Sequence, residues 1–453
     1  MRTTRKSNRP RGRTAAVALT AVAALGVSLL SGCSKDSDDA AGGGGTSQGT
    51  DKSADKGELT LTVGTFGVFG YKQAGLYEEY EKAHPGITIK ENVIERNDAY
   101  YPQLLTHLAA GSGLSDIQAI EVGNINEIVT TQAAKFEDLS KAAGVEKSNF
   151  LDWKWAQATT ADGKTVGLGT DIGPMAICYR KDLFQKAGLP TDREAVGKLW
   201  AGDWQKYVDT GEQYTKKAPK GTTFLDSAAG LYQAVSNGAA ERYYDSSGKV
   251  VYKTSPAVKN AWNLAMEAAT GKMTAKLKLF DKAWDQGFAN ARFASLPCPS
   301  WMLGYIQEKS GAAGKGNWDV AAAPKPANWG GSFVGVPSAG KHKEEAVELA
   351  AWLTAPEQQA KVFAKQASFP SAPGAYDLPE VKDAKHEYFD DAPIGTIFAD
   401  AAKTIPTLVI GPKDQQIYTA ITDVGILQVE QQGKSPEQGW AAAEKEIDNA
   451  LDQ

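Results

Sequence analysis

Histidine is scarce in this chain, with four in 453 residues, and cysteine scarcer, with three. His84, His107, His342 and His386 stand far apart, no HExxH, CxxC or GxxxxGK[ST] occurs, and GxSxG occurs only as GTSQG at 45–49, within a Gly/Ser/Asp-rich stretch with no strand or helix pattern around it. These absences remove the common metalloprotease, redox, serine-hydrolase and phosphate-loop chemistries. The nearest phosphate-loop lookalike, GAAGKG at 311–316, lacks the spacing and the metal-holding hydroxyl and reads as a loop. No calcium-loop pattern is present, and no repeat of 20 to 50 residues is visible. Nothing after residue 33 is long and apolar enough to span a bilayer. Basic charge is also short. Residues 1–32 hold six bases and no acid; setting these aside leaves 43 bases against 54 acids, a net charge of −11 from residue 33 onward. So acidic a body makes a poor nucleic-acid binder, because phosphate contacts need clustered Lys and Arg. A neutral or cationic ligand fits better.

What is present is the composition of a folded globular protein, with 42% hydrophobic and 23% charged residues. At this length a single core has usually stopped growing, so two domains are expected. Residues 1–32 run from a basic stretch through the apolar run 14–30 to LSGC at 30–33, the order of a secretory signal. LSGC at that place resembles the bacterial lipobox, which implies cleavage before Cys33 and lipidation of that residue. Residues 34–57 contain no large apolar side chain and include four consecutive glycines, which reads as a flexible tether. Cys178 and Cys298 remain, in a compartment where disulfides persist; the sequence leaves open a disulfide or a buried pair of free thiols.

From Leu59 the pattern alternates. LTLTVG at 59–64 has period two, 71–84 is amphipathic and stopped by Pro85-Gly86, and 87–93 is extended again. This is a βαβ opening, which needs a parallel sheet covered by helices. Further strands are expected at 117–122, 172–179, 293–296 and 333–336. Helices are expected at 100–110, 204–217, 227–237, 257–270, 344–353, 356–367, 415–432 and 436–451.

Eleven Trp and 16 Tyr stand out, some beside Gly or Pro in loops: Trp301, Trp329 and Tyr376. Their flat apolar faces suit the C–H faces of sugar rings, with nearby amides and carboxylates for the hydroxyls. Trp200, Trp204, Trp262, Trp352 and Trp440 fall at helical positions and read as packing. A glycosidase would need only two carboxylates at a fixed separation, and 54 acids supply such pairs by chance.

Segments across 59–453 together resemble the solute-binding lipoproteins of carbohydrate ABC importers, of the maltodextrin-binding class. They are YEKAHPGI at 80–87, AAGSGLSD at 109–116, DIGPMAICYRKDLF at 171–184, the strand ending in Trp301, GGSFVGVP at 330–337 and EAVELAAWL at 345–353. The resemblance implies two α/β lobes, each a mainly parallel sheet flanked by helices, hinged by crossing strands. Residues 172–180 and 332–337 match those strands. The division it implies is 58–175 with 335–400 for the N-terminal lobe and 176–334 with 401–453 for the C-terminal lobe.

It also implies a monomer that performs no chemistry and uses no cofactor or metal. Such a receptor would capture a sugar, by the number of loop aromatics an oligosaccharide, and deliver it to permease subunits driven by a cytoplasmic ATPase. Trp301 matches a family Trp that stacks on a sugar. Asp171, Gly331 and Ser332 fall at the crossings, Asp226 and Tyr232 where the family often supplies an acid and an aromatic, and Phe66, Phe69, Glu121 and Asn124 on the N-lobe rim. Trp329 is a further loop candidate. SFPSAPGA at 368–375 departs from the family pattern, with Phe369 as a substitute stacking surface. Rival readings are a secreted glycoside hydrolase and a peptide- or cation-binding lipoprotein, the latter expected to have acidic cleft walls.

Overall fold

The computed structural model describes residues 58–452. The signal segment, Cys33 and the tether lie outside the described residues. The strands are β1 Leu59–Phe66, β2 Ile87–Ile94, β3 Ile117–Glu121, β4 Leu168–Gly169, β5 Asp171–Ile172, β6 Met175–Arg180, β7 Thr223–Leu225, β8 Phe293–Pro299, β9 Trp318–Ala322, β10 Ser332–Gly335 and β11 Phe369–Pro370. They form a five-stranded sheet, β2-β1-β3-β10-β4, a four-stranded sheet, β7-β8-β6-β9, and a two-stranded ribbon, β11-β5.

The βαβ opening is present: β1 and β2 run parallel from Leu59 opposite Ile87 to Phe66 opposite Ile94. The helix between them starts at Leu76 rather than at 71, because Gly75 takes a left-handed φ of 70° and turns the chain first. In the second sheet, MAICYR of β6 is buried along its whole length, as a near-continuous apolar run must be when both faces are covered. WDVAA of β9 has the same burial on four of its five residues, so it carries no alternation to betray it as a strand.

Both sheets are mainly parallel in strand direction, but each is mixed by one reversed strand. β10 is antiparallel to β3 and β4, and β6 is antiparallel to β8 and β9. The reason is the chain path. β1, β3, β4, β8 and β9 end where the two sheets face each other, whereas β6 and β10 enter their sheets from that same end and must run back.

The crossings are shorter than 172–180 and 332–337. β6 is central to the second sheet and β10 lies wholly in the first, so the chain passes between lobes at 170–174 and 323–331. The ribbon marks a third passage, with Phe369 opposite Ile172 and Pro370 opposite Asp171. The assignment of 335–400 to the first lobe also changes. Helix Lys343–Leu353 contributes to the first core and helix Pro356–Gln366 to both, Val362 to the first and Ala360 and Phe363 to the second, while Ala375, Val381, Phe389, Ile394 and Phe398 join the core of the second sheet.

That second core holds Trp200, Trp204, Trp262, Trp284 and Trp318. Trp200 is satisfied by donating Nε1–H to the Ala322 carbonyl at 2.8 Å. A disulfide joins Cys178 to Cys298, with a Cα–Cα distance of 5.4 Å. Ladder register makes the two diagonal neighbours, since Cys178 faces Leu296 and Cys298 faces Ala176.

Candidate functional site

A cleft of about 1310 Å³ opens between the two sheets. Its volume exceeds the roughly 300–1,000 Å³ that encloses a drug-sized molecule. Its place follows from strand direction: in α/β sheets ligands collect beyond the carboxyl ends of the strands, and here the ends of both sheets meet.

The first-lobe wall begins where β1 ends. Phe66 and Phe69 line the cleft and pack edge to face at 5.3 Å. Glu121, at the end of β3, accepts from the Gly123 amide at 2.6 Å, and Asn124 accepts from Asn97 Nδ2 at 2.9 Å. Burial pushes the Glu121 carboxyl up to about 7.

The floor is the hinge itself. Asp171 Oδ1 accepts from the Ser332 amide at 2.9 Å and from Thr170 Oγ1 at 2.7 Å. Gly331 has φ 100°, and a Cβ there would meet the Asp171 carbonyl at 2.6 Å and Lys154 Nζ at 3.0 Å, so only glycine fits. Lys154 is fully buried, 3.8 Å from the Phe333 ring centre, without a hydrogen-bond partner among the described residues. Its ammonium is lowered to about 8 by burial, held from falling further by Asp171 and Glu121.

The second-lobe wall is aromatic. Trp301 sits between β8 and helix Met302–Ser310, and its Nε1 donates to the Trp329 carbonyl at 2.8 Å. That bond satisfies the indole's single donor and fixes the ring plane. Trp329 meets it edge to face at 5.9 Å, and Phe280 lies nearly parallel at 6.2 Å. Tyr305 completes the patch, 6.0 Å from Phe280.

Thus Trp301, Trp329, Asp171, Gly331, Ser332, Glu121, Asn124, Phe66 and Phe69 all line one cleft. Asp226, Tyr232 and Phe369 do not. Asp226 is 1% exposed and accepts from Trp284 Nε1 at 2.7 Å. It directly follows Leu225, which faces Ser295, so it stops several residues short of the Trp301 end of β8. Tyr232 is fully buried on helix Ala228–Ser236 and donates to Tyr243 Oη at 3.1 Å. Phe369 is core, with Phe363 and Tyr376 at 5.3 and 5.0 Å.

Sequence reasoning missed Phe280, Tyr305, Arg96 and Trp153, which also line the cleft. Tyr305 had a signal, lying four residues after Trp301 on a helix and hence on the same face. Phe280, in KLKLFDKAW at 276–284, has no Gly or Pro beside it and gave none.

The buried acids make stability depend on pH. Burial raises Asp226 from 3.8 to about 7, even though Trp284 favours its charged form. Between those values the native state keeps a proton that the unfolded chain has lost, so this stabilisation is complete below 3.8 and declines as pH rises to 7. Glu121 acts in the same direction from 4.5 upward. His386, lowered by burial from 6.5 to about 4, acts oppositely. Asp226→Asn, neutral at every pH, is therefore expected to gain about 2 kcal/mol on the wild type between pH 5 and pH 8. Urea unfolding of both proteins at the two pH values measures it; a difference that does not change with pH contradicts the assignment.

Two lobes joined by three chain crossings around an open cleft define a hinged ligand-capture protein. The chain matches the family of bacterial extracellular solute-binding proteins over residues 75–389 and belongs to it. Membership sets it outside the cytoplasmic membrane.

A solved extracellular solute-binding protein of family 1 is 42% identical, with a TM-score of 0.77 over 86% of this chain and 99% of that one. At 20% identity and a TM-score of 0.74, the fold is shared with an ABC transporter associated binding protein of B. animalis subsp. lactis Bl-04, in complex with β-1,6-galactobiose; 87% of this chain and 98% of that chain are covered. An arabinooligosaccharide-binding protein of Halalkalibacterium halodurans is 23% identical over 52% of this chain and 51% of its own length. A binding protein of Brucella abortus is 32% identical over 30% of this chain and 33% of its own. The chain thus spans a third to a half of the curated relatives it matches.

Proposed function

We propose that this protein is the receptor of an ABC importer for a neutral sugar, an oligosaccharide of at least two rings, captured in the interlobe cleft by hinge closure and released intact to the permease. The observation that carries this reading is the pinned indole of Trp301, flanked by Phe280 and Tyr305, in a cleft whose far wall offers Phe66 and Phe69. Rigid aromatic faces with amides and carboxylates around them suit rings that are apolar on their faces and hydroxylated at their rims.

An uncharged ligand is favoured by the pairing of several cleft carboxylates with the protein's own bases. Asp98 is held by Arg96 at 2.7 Å and Asp285 by Lys309 at 3.4 Å. The binding of arabino-oligosaccharide and galactobiose by relatives is consistent with the same class. The proposal includes cleavage of the signal before Cys33, lipidation of that Cys, a tether over 34–57, a monomeric receptor, and no catalysis.

A thermal-shift screen of residues 58–453 against mono- and oligosaccharides, peptides, amino acids and metal ions tests it, because a ligand bound only by the native state raises its stability. A large shift with one sugar series, the sugar recovered unchanged, supports the receptor. Cleaved sugar supports a hydrolase, and a response to peptides or metals alone retires the carbohydrate reading. Trp301→Ala is expected to weaken binding of the responding sugar by ~2 kcal/mol, about 30-fold, with the fold intact. Calorimetry on the folded variant checks this, and unchanged affinity removes Trp301 from the site.

A further inference from the structure

One hydrogen bond spans the mouth of the cleft. Arg96 stands between β2 and helix Asn97–Ala110, whose apolar face packs in the first lobe. Its Nε and Nη2 grip Asp98 at 2.7 to 3.2 Å, and the remaining arm, Nη1, donates to the Phe280 carbonyl at 2.7 Å. Phe280 packs on the second lobe's core. The contact therefore joins the two lobes through residues 184 apart in sequence.

Phe280 is also held in an unfavourable backbone state. Its φ is 63°, a left-handed conformation that is costly for a bulky side chain and persists only where surroundings enforce it. In that state its ring lies 5.0 Å from Trp284, 6.0 Å from Tyr305 and 6.2 Å from Trp301, turned 28° from the Trp301 plane, and it lines the cleft.

We propose that Phe280 is a second ligand-facing aromatic of the cleft and that Arg96 is its positioning residue: the Arg96–Phe280 bond is an interlobe latch, so that presenting this ring and closing the lobes are one event. This rests on the sugar-receptor reading and deepens it. When the lobes part, Arg96 keeps Asp98, its neighbour in the same lobe, while the Phe280 carbonyl turns to water and the backbone relaxes. A ring stacked on Phe280 then favours the latched form by its differential affinity for the two states.

The test uses the purified protein with maltotriose, galactobiose and arabinotriose as probes, read by calorimetry, stopped-flow dissociation and small-angle scattering. Phe280→Leu, which keeps the apolar volume, and Phe280→Ala are expected to weaken the best probe about 10-fold. Arg96→Met is expected to do the same through faster dissociation and to leave the sugar-bound protein more extended. In the Phe280→Ala background the Arg96 bond to the carbonyl of residue 280 remains but presents no ring, so Arg96→Met adds less there than its full effect on the wild type. Thermal midpoints of the unliganded variants report folding. Wild-type binding that survives both Phe280 changes, or Arg96 and Phe280 effects that add in full, overturns the latch and leaves the receptor reading standing. Failure of the wild type to bind any of the three probes, or any sugar in the thermal-shift panel, overturns the receptor reading and the latch with it.

Discussion

Gly173→Ala is expected to lower the stability of the folded protein by about 3 kcal/mol and to cripple ligand capture. Gly173 lies where two crossings touch. Its amide donates to Asn328 Oδ1 at 2.8 Å and its carbonyl accepts from the Trp329 amide at 2.8 Å. A Cβ there would stand 1.9 Å from the Trp329 carbonyl oxygen and 3.1 Å from Trp301 Nε1, the acceptor and donor of the bond that fixes the Trp301 ring. Backbone on one side and an indole on the other cannot yield separately, so the added methyl must force the crossings apart. Gly202 is the control: its φ is 77°, but no atom of the described residues lies within 4 Å of an added Cβ, so Gly202→Ala costs only about 1 kcal/mol of backbone preference and leaves binding unchanged. Urea unfolding and calorimetry on both variants decide the matter. A Gly173→Ala protein that unfolds with the wild-type midpoint would show that the crossings do not touch there.

Removing the disulfide is expected to cost about 3 kcal/mol. Cys178 and Cys298 are 120 residues apart in sequence, and closing so long a loop withdraws much conformational freedom from the unfolded chain. The chain-entropy figure for a loop near that size is about 4.7 kcal/mol, and residual order in the unfolded state reduces what is realised. Both residues are fully buried, so a thiol reductant reaches the bond only after the second sheet opens. Unfolding curves with and without reductant are expected to separate, and the Cys178→Ala, Cys298→Ala double variant to follow the reduced curve. Coincident curves would mean that the bridge contributes nothing to stability.

Several elements were legible because their signal is local. LTLTVG followed by a helix and ITIKENV yields parallel strands, and Ser435-Pro436-Glu437-Gln438 caps the last helix with both bonds of a capping box. Trp301 was legible because an aromatic beside Pro and Ser at the end of an apolar run sits at a strand end, and strand ends line the cleft. Asp226 and Tyr232 misled for the opposite reason. An acid before a helix and an aromatic on it look the same whether the helix starts at the cleft or beneath the sheet, and β7 ends too early to bring them out.

The sequence by itself determined the class of fold, six of its eleven strands and most of its long helices, the acidic body and the scarcity of catalytic residue types. These follow from periodicity, turn residues and composition, each a property of neighbours along the chain. Tertiary structure alone decided that both sheets are mixed, that Cys178 meets Cys298, that Lys154 lies buried under Gly331, and that Phe280 faces Arg96 across the cleft. Each of these depends on register between segments roughly 120 to 184 residues apart or on the path by which the chain re-enters a sheet. Such distances are set by the packing of whole elements, for which a local pattern carries no coordinate.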